Sequence, residues 1–363
     1  MFKTILYQYM VIKSKIDLRP QNRLTSPVKH CYNEYKAVRS GMVEAALIKK
    51  GDRTMGNTFY FEWEVRLMEW IQSWLGPVGT VIASAISEMG EQLVCVAVLG
   101  FLYWCWEKEY GKFVGLNVLV GITFNPLIKN IFVRRRPYFD HKGIKCLWPV
   151  DRGADIYDIS AQGYSFPSGH STNAVTLYTS LGRYKKNKIL MIIGIIAPLL
   201  VGISRFCVGV HYPTDVICGW ALGLIVIFLV PALQRAIKNR WVFYGLLVLI
   251  TVPGWFYCKS ADYFTAFGML IGFIIAVEFE NRFVKFENTR NVLRCILRVV
   301  LGIGVYFGLS TLLKLPFSKE FLNSATMASY AVRAARYCVI VFVTIGVYPM
   351  LFRLGDRIFK RKG

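Results

Sequence analysis

Ile189-Leu-Met-Ile-Ile-Gly-Ile-Ile-Ala-Pro-Leu-Leu-Val-Gly-Ile-Ser-Arg205 is an apolar run that stops on a hydroxyl and a guanidinium. It approaches the roughly 20 residues that cross a bilayer as an α-helix. Comparable runs occur at 91–106, 112–131, 168–182, 213–233, 241–258, 262–278, 292–313 and 331–352. The chain has 363 residues, 55% of them hydrophobic, and a positive mean hydropathy, which favours a membrane over the cytosol. The expected fold is all-α, a polytopic membrane helical bundle of about nine transmembrane helices. A tenth, through Val78–Ile86, is the alternative.

The loops between these runs set the orientation. Those near 107–112, 183–188, 234–240 and 279–291 fall on one side by alternation and hold Arg183, Lys185, Lys186, Lys188, Arg235, Lys238, Arg240, Arg282, Lys285 and Arg290. The tail adds Arg357, Lys360, Arg361 and Lys362. Excess Lys and Arg marks the cytoplasmic side, so the net charge of +22 reflects topology. No nucleic-acid partner is expected, since no recognition motif accompanies the charge. Nine cysteines form no CxxC pair, and several lie inside apolar runs as small hydrophobes.

Residues 1–54 are basic and lack the apolar core of a secretory signal. They read as a cytoplasmic tail or as upstream translation ahead of Met55. With nine spans this tail would lie outside, and a tenth would bring it in. From Phe61 to Leu75, Trp63, Leu67, Trp70, Ile71 and Trp74 recur at helical spacing opposite Glu62, Arg66, Glu69 and Ser73. Tryptophans on such a face suit a helix lying on the bilayer surface; the other reading makes it the start of a span.

Three polar clusters stand at the ends of apolar runs, all on the extracytoplasmic side. The first is Lys129 to Arg136-Pro137. Seven residues are two helical turns, so Lys129 and Arg136 share a face if the helix continues to Pro137. Arg134 and Arg135 beside them read as a basic belt for lipid headgroups. The second, Pro167-Ser168-Gly169-His170, reads as a helix start, with Pro in the first turn. Its free N–H groups and dipole offer an anion site, Ser168 adds a hydroxyl, and His170 lies within reach of a leaving group. The third is Ser204-Arg205, His211 and Asp215. Asp215, one turn beyond His211, would fix its tautomer and leave the other nitrogen as a nucleophile. Together they make a phosphate pocket with its own nucleophile and acid. Asp151, Asp155 and Asp158 in the loop 138–166 read as solvated loop carboxylates, since they are too incomplete a set for a divalent cation. Arg294, Arg298, Arg333 and Arg336 near the last runs read as snorkelling side chains.

These clusters resemble the type 2 phosphatidic acid phosphatase superfamily, which includes lipid phosphate phosphatases, glucose-6-phosphatase and vanadium haloperoxidases. Its signatures, Lys-x6-Arg-Pro, Pro-Ser-Gly-His and Ser-Arg-x5-His-x3-Asp, occur without substitution as Lys129/Arg136/Pro137, Pro167–His170 and Ser204/Arg205/His211/Asp215. The resemblance covers roughly Gln92 to Leu233. It implies catalytic roles for three residues: His211 attacks phosphorus to form a phosphohistidine, Asp215 holds its ring, and His170 protonates the leaving alkoxide and then activates water. It also implies that Lys129, Arg136, Arg205, Ser168 and the Gly169 N–H bind the phosphate, with no metal and no cofactor.

The chain then divides into a basic extension (1–54), an amphipathic interfacial segment (55–90), a phosphatase core bearing the clusters (91–235) and a four-helix C-terminal membrane extension (236–363). The expected activity is hydrolysis of a lipid-phosphate monoester or an isoprenoid diphosphate among membrane lipids. The site would face outward by the loop charges, and the membrane would be a bacterial plasma membrane, since the Lys-Arg-Lys-Gly terminus carries no retention signal. The alternatives are a sugar-phosphate phosphatase of glucose-6-phosphatase type, which the span count favours, and a non-catalytic lipid-binding or transport protein.

Overall fold

A computed structural model describes residues 56–352; the 1–54 extension and the tail cations Arg357, Lys360, Arg361 and Lys362 lie outside them. Among the described residues the chain is helical, with a single isolated bridge between Asn57 and Arg134. Helix α1 is Glu62–Glu88, kinked at Gly76 (φ 57°) and Pro77, where a left-handed glycine and a missing N–H interrupt the ladder. Helix α2 (Gln92–Phe101) runs into a π turn, Leu102–Trp106, and α3 is Lys108–Phe132. Helix α4 comprises Gly169–Ala174, a π turn Val175–Thr179 and Ser180–Lys185. Then come α5 (Lys188–Cys207), α6 (Pro213–Ala236), α7 (Arg240–Thr251), α8 (Ala261–Phe279), α9 (Val292–Leu312) and α10 (Met327–Val341).

From α2 to α10 the helices run alternately between two ends, as their end-to-end contacts show. At one end Lys108 Nζ meets Glu280 at 2.7 Å, Lys185 meets Glu107, and Arg240 meets Glu278 at 3.1 Å. At the other, the Lys259 N–H donates to Asn130 and the Tyr330 hydroxyl to the Lys259 carbonyl. Among the described residues seven helices are individually long and apolar enough to cross a membrane, and α2 reaches that standard only together with α1, across a 46° bend. Outward-facing Ile189, Ile192, Ile195 and Ile196 on α5 and Ile225, Phe228 and Leu229 on α6 are exposed. So large an apolar surface is stable only against lipid. The protein is a polytopic integral membrane helical bundle.

Helix α1 does not add a crossing of its own. Both of its ends sit at the same end of the bundle: Glu64 accepts from Thr214, and Ser87 Oγ lies 2.8 Å from Ser204 Oγ. Between them Gln72 donates to the carbonyls of Lys145 and Cys207. The Val78–Ile86 stretch lies in a helix that runs across the end of the bundle, because its polar residues bond to loops there.

The C-terminal helices share a hydrophobic cluster with the preceding ones, with Leu116 and Val120 of α3, Leu222 and Val226 of α6, Leu270 and Phe273 of α8 and Ile340 of α10 packed together. Gly268-x-x-x-Gly272 on α8 faces the backbone of α10, where a Cβ at either glycine would collide with the carbonyl oxygens of Ala334 and Cys338. Small residues at this spacing let membrane helices approach closely. Gly272→Leu is expected to destabilise the detergent-purified protein by more than the roughly 1–3 kcal/mol of ordinary overpacking. An unchanged thermal melting midpoint would show that this contact does not hold the helices together. The arginines here do not all snorkel: Arg298 and Arg336 are buried. Arg298 donates to the carbonyls of Trp104 and Glu287, and Arg336 to that of Ser310.

Candidate active site

The ends of α3 and α5 and the starts of α4 and α6 carry the three sequence clusters. Helix α3 ends at Phe132 with Val133 in the left-handed region (φ 44°), its N–H bonded to the Lys129 carbonyl. The helix therefore does not continue to Pro137, and Lys129 and Arg136 are not on one helical face. A β-branched residue is unfavourable at positive φ, and the strain is held by backbone bonds from Asn57 to Val133 and from Arg135 to Asn57. The turn sends the chain back so that Arg136 enters the site as the residue ahead of a short helix, Pro137–Asp140.

Arg136 is buried and anchored by carbonyls: Nε and Nη2 donate to Gln162, and Nη1 to Val210 at 2.8 Å. Its Nη1 also lies 3.4 Å from His211 Nε2. Lys129 Nζ lies 4.0 Å from where a Gly169 Cβ would stand, so glycine there leaves the ammonium beside the start of α4. Ser168 caps that helix; Pro167 precedes the cap and is not in the first turn. Ser168 Oγ accepts from the Ser171 hydroxyl at 2.9 Å, which leaves its own proton to donate. Asn125 of α3 ties this turn down through Pro167 and Thr172.

Arg205 closes α5. It is 1% exposed, and its Nε and Nη1 have no protein partner. Leaving guanidinium nitrogens buried and unpaired is costly, a cost that an anion at this position would relieve. His211 sits between α5 and α6, also 1% exposed. Burial first, then the charges of Arg136, Arg205 and Lys129, hold its imidazole well below its ordinary pKa. The ring is thus neutral, with a lone pair available.

Asp215 Oδ2 lies 3.5 Å from His211 Nδ1, at the edge of hydrogen-bond reach. Its closer partners are the Tyr212 N–H and Arg134 Nη1, each at 2.7 Å. All eight residues marked by the sequence therefore lie at this end of the bundle.

Three further residues join them. Glu91, which precedes α2, places Oε1 2.9 Å from His170 Nε2. Its sequence signal is a carboxylate opening an apolar run, a costly placement without a partner. Arg134 is not part of a headgroup belt: it is 1% exposed and bound to Asp215, Thr214 and Glu64. Packing of its guanidinium between Phe59 and Tyr212, 4.5 and 3.9 Å from the ring centroids, makes burial tolerable. Arg135 instead pairs with Asp140 at 2.7 Å. The third is Glu64, fully buried at the start of α1.

Asp151, Asp155 and Asp158 each accept the N–H of the residue two positions on. Among the described residues no three His, Cys, Asp or Glu side chains group as metal ligands.

Residues 110–239 match the PAP2 superfamily, and residues 264–357 match the family described as PAP2 superfamily phosphatase, transmembrane extension. Phosphatidylglycerophosphatase B of Bacillus subtilis is 39% identical over 46% of this chain and 79% of its own length. The undecaprenyl-diphosphatase of Sulfolobus acidocaldarius is 31% identical over 40% of this chain and 65% of its own. The decaprenylphosphoryl-5-phosphoribose phosphatase of Mycobacterium tuberculosis is 30% identical over 48% and 96%. With the transmembrane bundle and the three clusters at one end of it, these matches show that the chain is a membrane phosphatase of the PAP2 superfamily.

Proposed function

We propose that the protein hydrolyses a phosphate monoester or diphosphate of a lipid or isoprenoid, without metal, on the extracytoplasmic face of a bacterial plasma membrane. The observation that carries the reading is Arg205, buried with two guanidinium nitrogens unpartnered, in the same site as Lys129, Arg136 and His211. A phosphoryl group supplies Arg205 with acceptors and brings an anion to the other two cations.

In the first step His211 Nε2 attacks phosphorus and the P–O bond to the leaving group breaks, giving a phosphohistidine. Lys129, Arg136, Arg205, Ser168 and the Gly169 N–H hold the equatorial oxygens, where positioning and charge provide most of the acceleration in phosphoryl transfer. Asp215 stabilises the imidazolium form of His211, and apo hydrogen bonds of this kind tighten on the way to the transition state. His170 gives its proton to the leaving oxygen, then takes one from the water that cleaves the P–N bond.

Glu91 Oε1, 2.9 Å from His170 Nε2, holds that ring in place for the acid step. Glu91→Gln is expected to lower kcat about tenfold or more, the worth of one charge-assisted hydrogen bond, on an alkyl phosphate. The loss on p-nitrophenyl phosphate, whose leaving group needs no proton, should be much smaller. Equal losses on both would remove Glu91 from the acid step.

A lipid is favoured over a sugar by the surroundings. Phe59, Phe132 and Phe166 pack together beside the site, with ring centroids 4.7–6.2 Å apart, and Phe59 and Phe132 are exposed. Exposed Trp63, Trp70 and Trp74 lie along α1, where they suit a helix in the membrane interface. An acyl or prenyl chain would meet apolar surface there while its phosphate enters the polar site. The relatives named above act on lipid-linked phosphates, in keeping with this. The basic loops at the opposite end support an outward-facing site.

The test is phosphate release by detergent-purified protein in EDTA from phosphatidic acid, an isoprenyl diphosphate and glucose 6-phosphate. Release from a lipid substrate is expected; preference for glucose 6-phosphate would overturn the lipid assignment, and release that requires added metal would overturn the mechanism.

A further inference from the structure

Glu64 stands outside the residues that match the PAP2 superfamily, on a helix whose sequence suggests only a surface role. Its carboxylate is nevertheless fully buried and fully bonded. Oε1 accepts from the Thr214 N–H at 2.9 Å and the Thr214 hydroxyl at 2.6 Å, and Oε2 accepts from the Phe61 N–H at 2.9 Å and Arg134 Nη2 at 3.0 Å. The same guanidinium gives Nη1 to Asp215 Oδ1 at 2.7 Å. Arg134 is therefore shared between two buried carboxylates, one of which lies 3.5 Å from the His211 imidazole.

We propose that Glu64 is a positioning residue of the catalytic machinery, acting through Arg134 on the Asp215 carboxylate that faces His211. The inference rests on the proposed attack by His211. Its physical core is charge. Glu64, Arg134 and Asp215 together carry one negative charge in excess, within a site where charges are poorly screened. When neutral His211 attacks phosphorus, its ring becomes cationic, and that excess charge compensates it. Without Glu64, Arg134 would neutralise Asp215 and the developing cation would have no counter-charge. Glu64 also fixes the geometry, because its bonds to Thr214 hold the first turn of α6, from which Asp215 projects.

The charge argument makes a prediction that a purely structural role does not. Glu64→Gln leaves the cluster neutral and is expected to lower kcat roughly ten- to a hundredfold, as for groups that orient a metal-bound imidazole, with KM changed little. Arg134→Gln sets two unshared buried carboxylates against each other and removes the bond that aims Asp215 Oδ1, and is for that reason also expected to be slow. The double variant Glu64→Gln/Arg134→Gln restores a single negative charge on Asp215 and is expected to turn over faster than either single variant. Thr214→Val, which removes two hydrogen bonds from the cluster but no charge, should lower the melting midpoint and cost less in kcat than Glu64→Gln.

The assay is steady-state kinetics on dioleoyl phosphatidic acid in mixed micelles, with rapid-quench trapping of the acid-labile phosphoenzyme from the ³²P-labelled lipid. Slower phosphoenzyme formation in Glu64→Gln, with rescue in the double variant, is the expected result. A double variant slower than both singles, or a Thr214→Val loss equal to that of Glu64→Gln, overturns the proposal. If Glu64→Gln does not fold, the comparison of the double variant with Arg134→Gln alone decides. Absence of any acid-labile phosphoenzyme in the parent protein would instead overturn the His211 mechanism, and is thereby distinguished.

Discussion

His211→Ala is expected to abolish turnover, with phosphate release falling by at least about 10⁴-fold, as when the nucleophile of a triad is removed. The other imidazole among the motif residues, His170, has its Nε2 engaged by Glu91, which precedes α2. The phosphoenzyme should disappear together with turnover, because the bond to phosphorus is made by the missing nitrogen. The anion pocket should remain: Lys129, Arg136 and Arg205 are held by elements that do not depend on the His211 ring, Arg136 by the carbonyls of Gln162 and Val210. Vanadate is therefore expected to raise the melting midpoint of the variant. A folded His211→Ala protein with near-parental activity would sink the mechanism. Lost vanadate protection would mean that the ring holds the pocket together and does not act only in chemistry.

Arg205→Ala is the second large effect, and it should separate function from stability. Loss of one preorganised donor to a developing oxyanion costs about 10²–10³ in kcat, and Arg205 offers two unpaired nitrogens to that role. Yet the same arginine is a buried cation with two unpartnered nitrogens, beside Arg136 and Lys129. Removing such a charge relieves a desolvation penalty. The variant is therefore expected to melt no lower than the parent without ligand, and to lose most of the stabilisation that phosphate or vanadate confers. Sites that sacrifice stability for activity behave this way. A variant that keeps activity within a few-fold, or one that still gains full protection from phosphate, would remove Arg205 from the anion site. Melting curves with and without 10 mM-scale phosphate (about that concentration suffices for a weak anion site) and steady-state kinetics make both checks.

Much of the molecule was legible in the sequence because the signals are local. A transmembrane helix is a run of apolar residues, since the bilayer demands internal backbone pairing and an apolar exterior, and alternation of such runs places every cluster at one end. The motif residues were legible for the same reason. Ser168 starts α4 and Asp215 lies in the first turn of α6, positions set by capping and by proline within a few residues. Local reasoning failed where the chain turns or where partners come from afar. Lys129 and Arg136 were expected on one helical face, but Val133 breaks the helix, held in its left-handed turn by backbone bonds to Asn57 that no spacing rule describes.

The sequence by itself therefore determined the membrane class, the helical runs and the gathering of the three motif clusters at one end of them, because apolar runs, caps and prolines act within one or two helical turns. Only the tertiary structure decided which side chains stand behind them. Glu91 reaches His170 across 79 positions, and Arg134 joins Asp215 across 81 and Glu64 across 70. Periodicity relates residues on one helix and carries no information about which helix end another will meet. That choice follows from the packing of α1, α3 and α6 at one end of the bundle, where burial forces each carboxylate and guanidinium to find a partner.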